Sequence, residues 1–257
     1  MSTVAADLAI KVTNLHKSYG EAVAVNGISF EVQRQEVFGL LGPNGAGKTT
    51  TVEILEGLRE ADSGEAVVAG IDVLRHPDKV KHVIGVQLQA SAFMDNLSLL
   101  ELLELFAAFY NRRVDGEALL RKVDLVEKAK RQVKELSGGQ KQRFSIATAL
   151  VNEPEVLFLD EPSTGLDPQA RRNLWDLVRA LQGEGRCIVL TTHFMDEAEY
   201  LCDRVAIMDH GRILRLDTPD NLVHELLSHG FKRDKVEREA NLEDVFINLT
   251  GRELREE

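Results

Sequence analysis

A lysine and a pair of hydroxyls set directly behind three glycines suit one task above others, which is holding a run of phosphates. Residues Gly42 to Thr50 read GPNGAGKTT, with Pro43, Asn44 and Ala46 between the glycines and Thr50 closing the stretch. Gly42, Gly45 and Gly47 allow backbone N–H groups to wrap phosphate oxygens, Lys48 can reach the β and γ oxygens, and Thr49 offers a hydroxyl to Mg²⁺. A glycine turn with a chance lysine would share these letters. Here the segment also follows a continuous apolar run, EVFGLL, and opens a pattern in which Val52, Leu55 and Leu58 recur at helical spacing, the context a phosphate-binding loop requires.

The second constellation is VLFLDEP, in which Asp160 and Glu161 end an apolar run. Carboxylates at the C-terminal end of a parallel strand sit where ligands bind in open α/β sheets. Asp160 can belong to a Mg²⁺ shell and Glu161 can polarise an attacking water as general base. A third stretch, ELSGGQKQR, raises a question. Ser137, Gly138, Gly139 and Gln140 stand at the expected start of a helix and form a further phosphate-type site, far along the chain from the first.

These groups need elements to position them. From Leu8 to Val37 short alternating runs broken at SYGEA and at NG predict an antiparallel sheet with tight turns; VVAGIDV continues the strand-rich half. Residues 91–152 lose the strand pattern and read as an inserted helical subdomain, from LSLLELLELFAAFY to the helix opening at Ser137. Strands return as EVLFLD and CIVLTTH. A helix from Pro168 to Gln182 separates them, with Asp167 as N-cap and Leu174, Leu177, Val178 and Leu181 on one face. The order strand, helix, strand predicts a parallel sheet with right-handed crossovers. RVAIMDHGRILRL reads as a hairpin turning at Asp209 to Gly211, followed by a polar tail of helical pattern.

Composition narrows the function classes. The 257 residues are 44% apolar and 28% charged, ordinary for a soluble globular chain. A net charge of −11 repels nucleic acid. Cys187 and Cys202 each adjoin an apolar run and read as buried free thiols. The N-terminus lacks the features of a signal peptide, and no apolar run approaches the roughly 18 residues that cross a bilayer, so a cytosolic location is expected.

With GPNGAGKTT, LSGGQKQR, LFLDEPSTGLD and LTTH in this order, the chain resembles an ATP-binding-cassette (ABC) transporter ATPase over residues 8–220. In EILEGLREADSGEAVVAG and NLEDVFINLTG it is similar to the ABC-2 type ATPase subunits of multidrug and antibiotic-resistance exporters. The resemblance implies an α/β P-loop NTPase (RecA-like) core in a domain of residues 1–220. The core and its antiparallel part take residues 1–90 and 153–220, the α-helical signature subdomain takes 91–152, and a short tail takes 221–257. It implies ATP and Mg²⁺ as cofactors and Thr49, Gln89 and Asp160 as metal ligands. Tyr19 would stack on adenine, although a Tyr before a Gly also serves as a turn or core residue. Gln89 would touch Mg²⁺ and the attacking water, with Gln87 competing and register favouring Gln89. His193 would bond the γ-phosphate beside Glu161, and Asp167 would cross to a partner.

In such a family the SGGQ stretch faces the nucleotide of a second ATPase subunit, here a homodimer. A separately encoded integral membrane permease does the transporting, so the chain would be cytoplasmic and peripheral on the inner face of the membrane, without nucleic acid. The apolar stretch Ala92, Phe93, Met94, Leu97, Leu99 and Leu100 would receive the permease, or else serve as the subdomain's own core. An ABC importer ATPase, or a soluble ABC ATPase acting on ribosomes or DNA, are the alternatives. Against the latter stand one cassette in the chain, no long heptad insertion and an acidic balance.

Overall fold

Twelve residues of alternating burial, Leu8–Tyr19, form β1, and it turns back as β2 (Ala22–Gln33) in an antiparallel hairpin. The Asn26–Gly27 pair, expected to break the chain, instead lies inside β2. His16 pairs with Asn26 and Leu15 with Ile28, so Gly27 is the extra residue of a bulge. The computed structural model describes residues 8–87 and 93–231 together with 245, 248 and 249.

The chain then enters a second sheet through β3 (Val37–Leu41), buried along its whole length, and passes through residues 42–47 into α1 (Lys48–Leu55). It returns to the first sheet as β4 (Ser63–Val68) and β5 (Ile71–Asp72), makes a short helix α2 (Pro77–Val80), and adds β6 (Ile84–Gln87). Three helices follow: α3 (Leu99–Phe109), α4 (Gly116–Lys122) and α5 (Gly138–Ala149). β7 (Val156–Asp160), α6 (Pro168–Gly183), β8 (Cys187–Thr192) and α7 (Met195–Leu201) lead to the hairpin β9 (Arg204–Asp209) and β10 (Arg212–Asp217), and then to α8 (Pro219–Ser228).

The first sheet has the order β2-β1-β4-β5 and is antiparallel; the second has the order β10-β9-β3-β8-β7-β6. In the second, β9, β3, β8, β7 and β6 run parallel, with β10 antiparallel at one edge. Such parallel strands must be covered on both faces, and the pleat shows how. Val37, Leu41, Leu157, Leu159, Ile188 and Leu190 point to the side packed by α5, α6 and α7. Phe38, Leu40, Val156, Phe158, Cys187 and Val189 point to the side shared with α1 and the first sheet. Both cysteines are buried and free.

The helix after β7 matches expectation closely: Asp167 Oδ1 accepts from the Ala170 N–H at 2.9 Å, and Leu174, Leu177, Val178 and Leu181 form its buried face. The hairpin turns at His210 and Gly211, both at positive φ. Further features differ from the sequence reading. β6 is an additional edge strand and α7 an additional helix. Leu58, expected on the buried stripe of α1, is 68% exposed beyond that helix, while Glu56 takes the inward position at 5% exposure. Phe93, Leu97, Leu99 and Leu100 pack on the core of the helical subdomain, with Phe93 5.2 Å from the Phe144 ring, whereas Met94 is exposed. Ala92 lies outside the described residues.

Candidate active site

The loop between β3 and α1 is held from below by backbone. Gly47 has φ 101°, and a Cβ there would stand 2.2 Å from the carbonyl oxygen of Ala24 in β2, so only glycine fits. Lys48 begins α1 and is 5% exposed. Its Nζ donates to the Gly42 and Pro43 carbonyls at 2.7 and 3.1 Å, folding the side chain over the loop it follows. Burial lowers the Lys48 pKa, while Glu161 and Asp160 act in the opposite sense. The ammonium therefore lies in the field of both carboxylates. Asn44, Gly45 and Thr49 are exposed, with Pro43 and Thr50 half-buried and Ala46 buried.

β7 delivers the carboxylates and β8, its parallel neighbour, aligns them: Asp160 pairs with Thr191 in register. The fully buried Thr191 is a group that sequence reasoning missed. Its hydroxyl donates to Asp160 Oδ1 and accepts from the Glu161 N–H at 3.1 Å. Glu161 itself sits at φ 45°, a left-handed conformation costing a non-glycine residue about 1–3 kcal/mol. The Thr191 contacts offset that cost and aim the side chain. Glu161 Oε2 accepts from the Thr164 hydroxyl at 3.3 Å. Glu161 Oε1 is 3.2 Å from His193 Nδ1, within ion-pair reach but not aligned as a hydrogen bond. His193 follows the end of β8 directly.

Behind these groups is Glu56, the C-cap of α1. Burial first, then the charges of Asp160 and Glu53, push its carboxyl up to about 8. Val52, Leu55 and Glu56 share the i, i+3, i+4 face; an acidic residue in an apolar slot was the available signal.

Tyr19 ends β1 and is 42% exposed. The Arg59 guanidinium is 5.2 Å and the Lys17 ammonium 5.6 Å from its ring centre, and Glu53 holds Arg59 at 2.6 Å. Gln87 closes β6 beside Leu159 at 1% exposure, a position within the sheet; Gln89 lies outside the described residues. Thr49 and Asp160 are oxygen donors of the kind Mg²⁺ prefers.

The SGGQ stretch begins a helix as expected. Ser137 is the N-cap of α5, its hydroxyl accepting from the Gln140 N–H at 3.3 Å while Gln140 Oε1 accepts from the Ser137 N–H at 3.1 Å. Four residues along from Gly139, Arg143 Nε donates to the Val123 carbonyl at 2.9 Å and anchors the helix to the end of α4. The two glycines differ. A Cβ on Gly139 would meet Ala170 Cβ of α6 at 2.8 Å, whereas around Gly138 there is nothing within 4 Å. Packing within the chain accounts for the second glycine but not the first. Ser137, Gly138 and Asp167 are all exposed.

The family model described as ABC transporter matches residues 25–164, more than half of the chain. The chain belongs to this family. Similar ABC proteins include the "Nod factor export ATP-binding protein I" of Ralstonia nicotianae, 35% identical over 96% of this chain and 95% of its own length. Another is the "Daunorubicin resistance ATP-binding protein DrrA3" of Streptomyces coeruleorubidus, 42% identical over 91% of this chain and 75% of its own. Among solved structures, an ATP-binding subunit of an ABC transporter superposes with a TM-score of 0.80 at 28% identity, covering 94% of this chain and 99% of that one. An ATP-binding cassette solved as a dimer in a post-hydrolysis state with ADP and Pi gives 0.73 at 26% identity, over 81% and 98%. The chain is thus an ABC ATPase with a P-loop NTPase core, an antiparallel N-terminal sheet and an inserted helical subdomain, and it binds nucleotide. No helix among the described residues is long and apolar enough to cross a membrane.

Proposed function

We propose that two copies of this chain clamp two molecules of Mg²⁺·ATP, and that their closing and opening drive export of drug-like or other hydrophobic compounds through a separate membrane-spanning chain. Each nucleotide would lie between the P-loop of one copy and the Ser137–Gln140 helix start of the other. The observation that carries this is the division of the site. Lys48, Asp160, Glu161 and His193 converge around the end of β7, while the exposed Ser137–Gly138 helix start faces space that its own chain does not fill. A helix N-terminus open in this way favours an anion.

In this reading residues 42–50 hold the phosphates, and Gly47 marks a cradle no larger residue fits. Thr49 and Asp160, joined by Gln89, would hold Mg²⁺, which when bound neutralises charge on the phosphate oxygens. Glu161 receives the proton of the attacking water on its carboxylate. His193, its Nδ1 turned to Glu161, keeps Nε2 for the γ-phosphate. Tyr19 offers one ring face to adenine, and Asp167 reaches the second copy. The domain is residues 1–220, the tail 221–257. The likeness to a Nod factor export protein supports the export direction, and the likeness to a daunorubicin resistance protein supports a drug-like cargo. Exposed Met94 and Phe109, at 59% and 67%, are the apolar surface offered to a membrane partner at the inner face of the membrane.

The test is turnover and self-association of the full chain. Glu161→Gln should bind ATP but lose about 10²- to 10⁴-fold in turnover, the usual worth of a positioned base. Ser137→Arg should bind ATP yet neither dimerise with ATP nor hydrolyse it. Near-normal turnover in the first, or persisting active dimers in the second, overturns the assignment. Recovery of the native chain with ribosomes or DNA, rather than with an integral membrane protein, overturns the transport role.

A further inference from the structure

α7 carries a carboxylate where a surface helix has no need of one: Glu197 is 0% exposed. Its Oε1 accepts from Trp175 Nε1 of α6 at 3.1 Å. Two hydroxyls also act on it, Thr192 at the end of β8 beside His193 and Ser163 at the head of the STGLD loop, both fully buried. Burial raises the Glu197 pKa, and the two hydroxyls, the indole and the Arg171 charge act against that. Thr192 Oγ1 also accepts from the Phe194 N–H at 3.0 Å, so the residues on both sides of His193 are tied together.

One link stops short. Glu197 Oε2 and Ser163 Oγ are buried without a fully formed hydrogen bond, although the pair is close enough for the hydroxyl to favour the ionised carboxyl. Buried polar atoms are almost always satisfied, and here a donor and an acceptor wait side by side. The neighbouring Arg171 also keeps its Nε buried without a hydrogen bond. Arg171 of α6 pairs with Asp196 at 3.0 Å and lies 4.6 Å above the Phe194 ring.

We propose that Glu197 is a positioning residue which couples the STGLD loop to His193. A shift of the loop closes the Ser163–Glu197 bond, and the carboxylate, through Thr192, sets the histidine beside Glu161. The loop that reaches the second copy thereby adjusts the catalytic groups of its own chain. This rests on the roles of His193 and Asp167 given above.

The experiment measures ATPase rate against ATP concentration for the full-length chain. Ser163→Ala and Glu197→Gln should each lower kcat roughly tenfold, within what a small misplacement costs, with KM within about twofold, since the effect lies in chemistry and not in binding. The double variant should be no slower than the slower single, and Ser163→Thr should restore most of the parent kcat. Thermal unfolding separates a packing role, which would lower the melting temperature and leave kcat alone. Parent-like kcat in a folded Ser163→Ala, or multiplicative losses in the double variant, overturns the coupling. Glu161→Gln is run beside them: if it retains turnover, the site reading fails and the coupling falls with it. If it loses turnover while Ser163→Ala does not, only the coupling fails.

Discussion

Replacing Glu56 with Gln should stabilise the protein, and the gain should grow with pH. The carboxyl has an ordinary value of 4.5 and is pushed up to about 8 in the fold, by burial and by the charges of Asp160 and Glu53. An acid whose pKa rises on folding favours the folded state fully below the unfolded value of 4.5. That advantage is lost as pH climbs toward 8, because the unfolded chain ionises first. Each pH unit in the window is worth about 1.4 kcal/mol. The penalty is under about 1 kcal/mol at pH 5 and about 3 kcal/mol at pH 7, reaching a plateau above 8. Glutamine keeps the shape and removes the titration. At about 2–4 °C per kcal/mol for a chain of this size, the variant should melt about 6–12 °C above the parent at pH 7 and nearly level with it at pH 5. The pH-independent cost of burying the amide shifts every point equally, so the slope is the decisive quantity. Circular dichroism melts at half-unit steps from pH 5 to 8, without nucleotide, measure it. A difference that does not change across that range would refute the burial and charge account of Glu56.

Thr191→Val keeps the shape of the side chain but deletes the hydroxyl that serves both Asp160 and the Glu161 backbone. Its kcat should fall by about 10- to 100-fold, the scale of a displaced catalytic group, with more Mg²⁺ required for half-maximal rate and recovery in Thr191→Ser, all read from steady-state ATPase assays. Gly47→Ala places a Cβ 2.2 Å from the Ala24 carbonyl, and is expected to abolish ATP binding in calorimetry even where soluble protein is obtained. In the proposed site Lys48→Ala would remove a charge-assisted phosphate contact worth about 1.5–3 kcal/mol, so the ATP dissociation constant measured by titration should rise by one to two powers of ten.

The parallel sheet was legible because β3, β7 and β8 are short apolar runs marked at their ends by Gly42, Asp160 and His193, and α6 because its cap, its proline and its four-residue stripe agree. The candidate site was legible for the same reason: its residues sit at strand ends and helix starts, which the sequence marks. What stayed hidden has particular causes. β6 is four residues long at a sheet edge, too short for alternation to show. α7 spans seven residues and buries Glu197 along with Ala198 and Leu201, so its polar character masks an inward face. The Asn26–Gly27 pair has turn chemistry, yet the strands on either side of it pair with the same partner and absorb it as a bulge. Thr191 and Glu56 matter through neighbours far off in sequence, which only the folded register brings to Asp160.

The contact beneath the P-loop has one more consequence. The Gly211 N–H, in the turn between β9 and β10, donates to the Ala46 carbonyl at 3.0 Å, and the Gly211 carbonyl accepts from the Asn26 N–H of β2 at 2.8 Å. Gly47 rests on Ala24 of the same strand. The loop is therefore a meeting point of main chain from both sheets. These backbone contacts tie the loop to both sheets at once. If the loop holds phosphates as proposed, a tilt between the two sheets would reach them as a displacement of backbone.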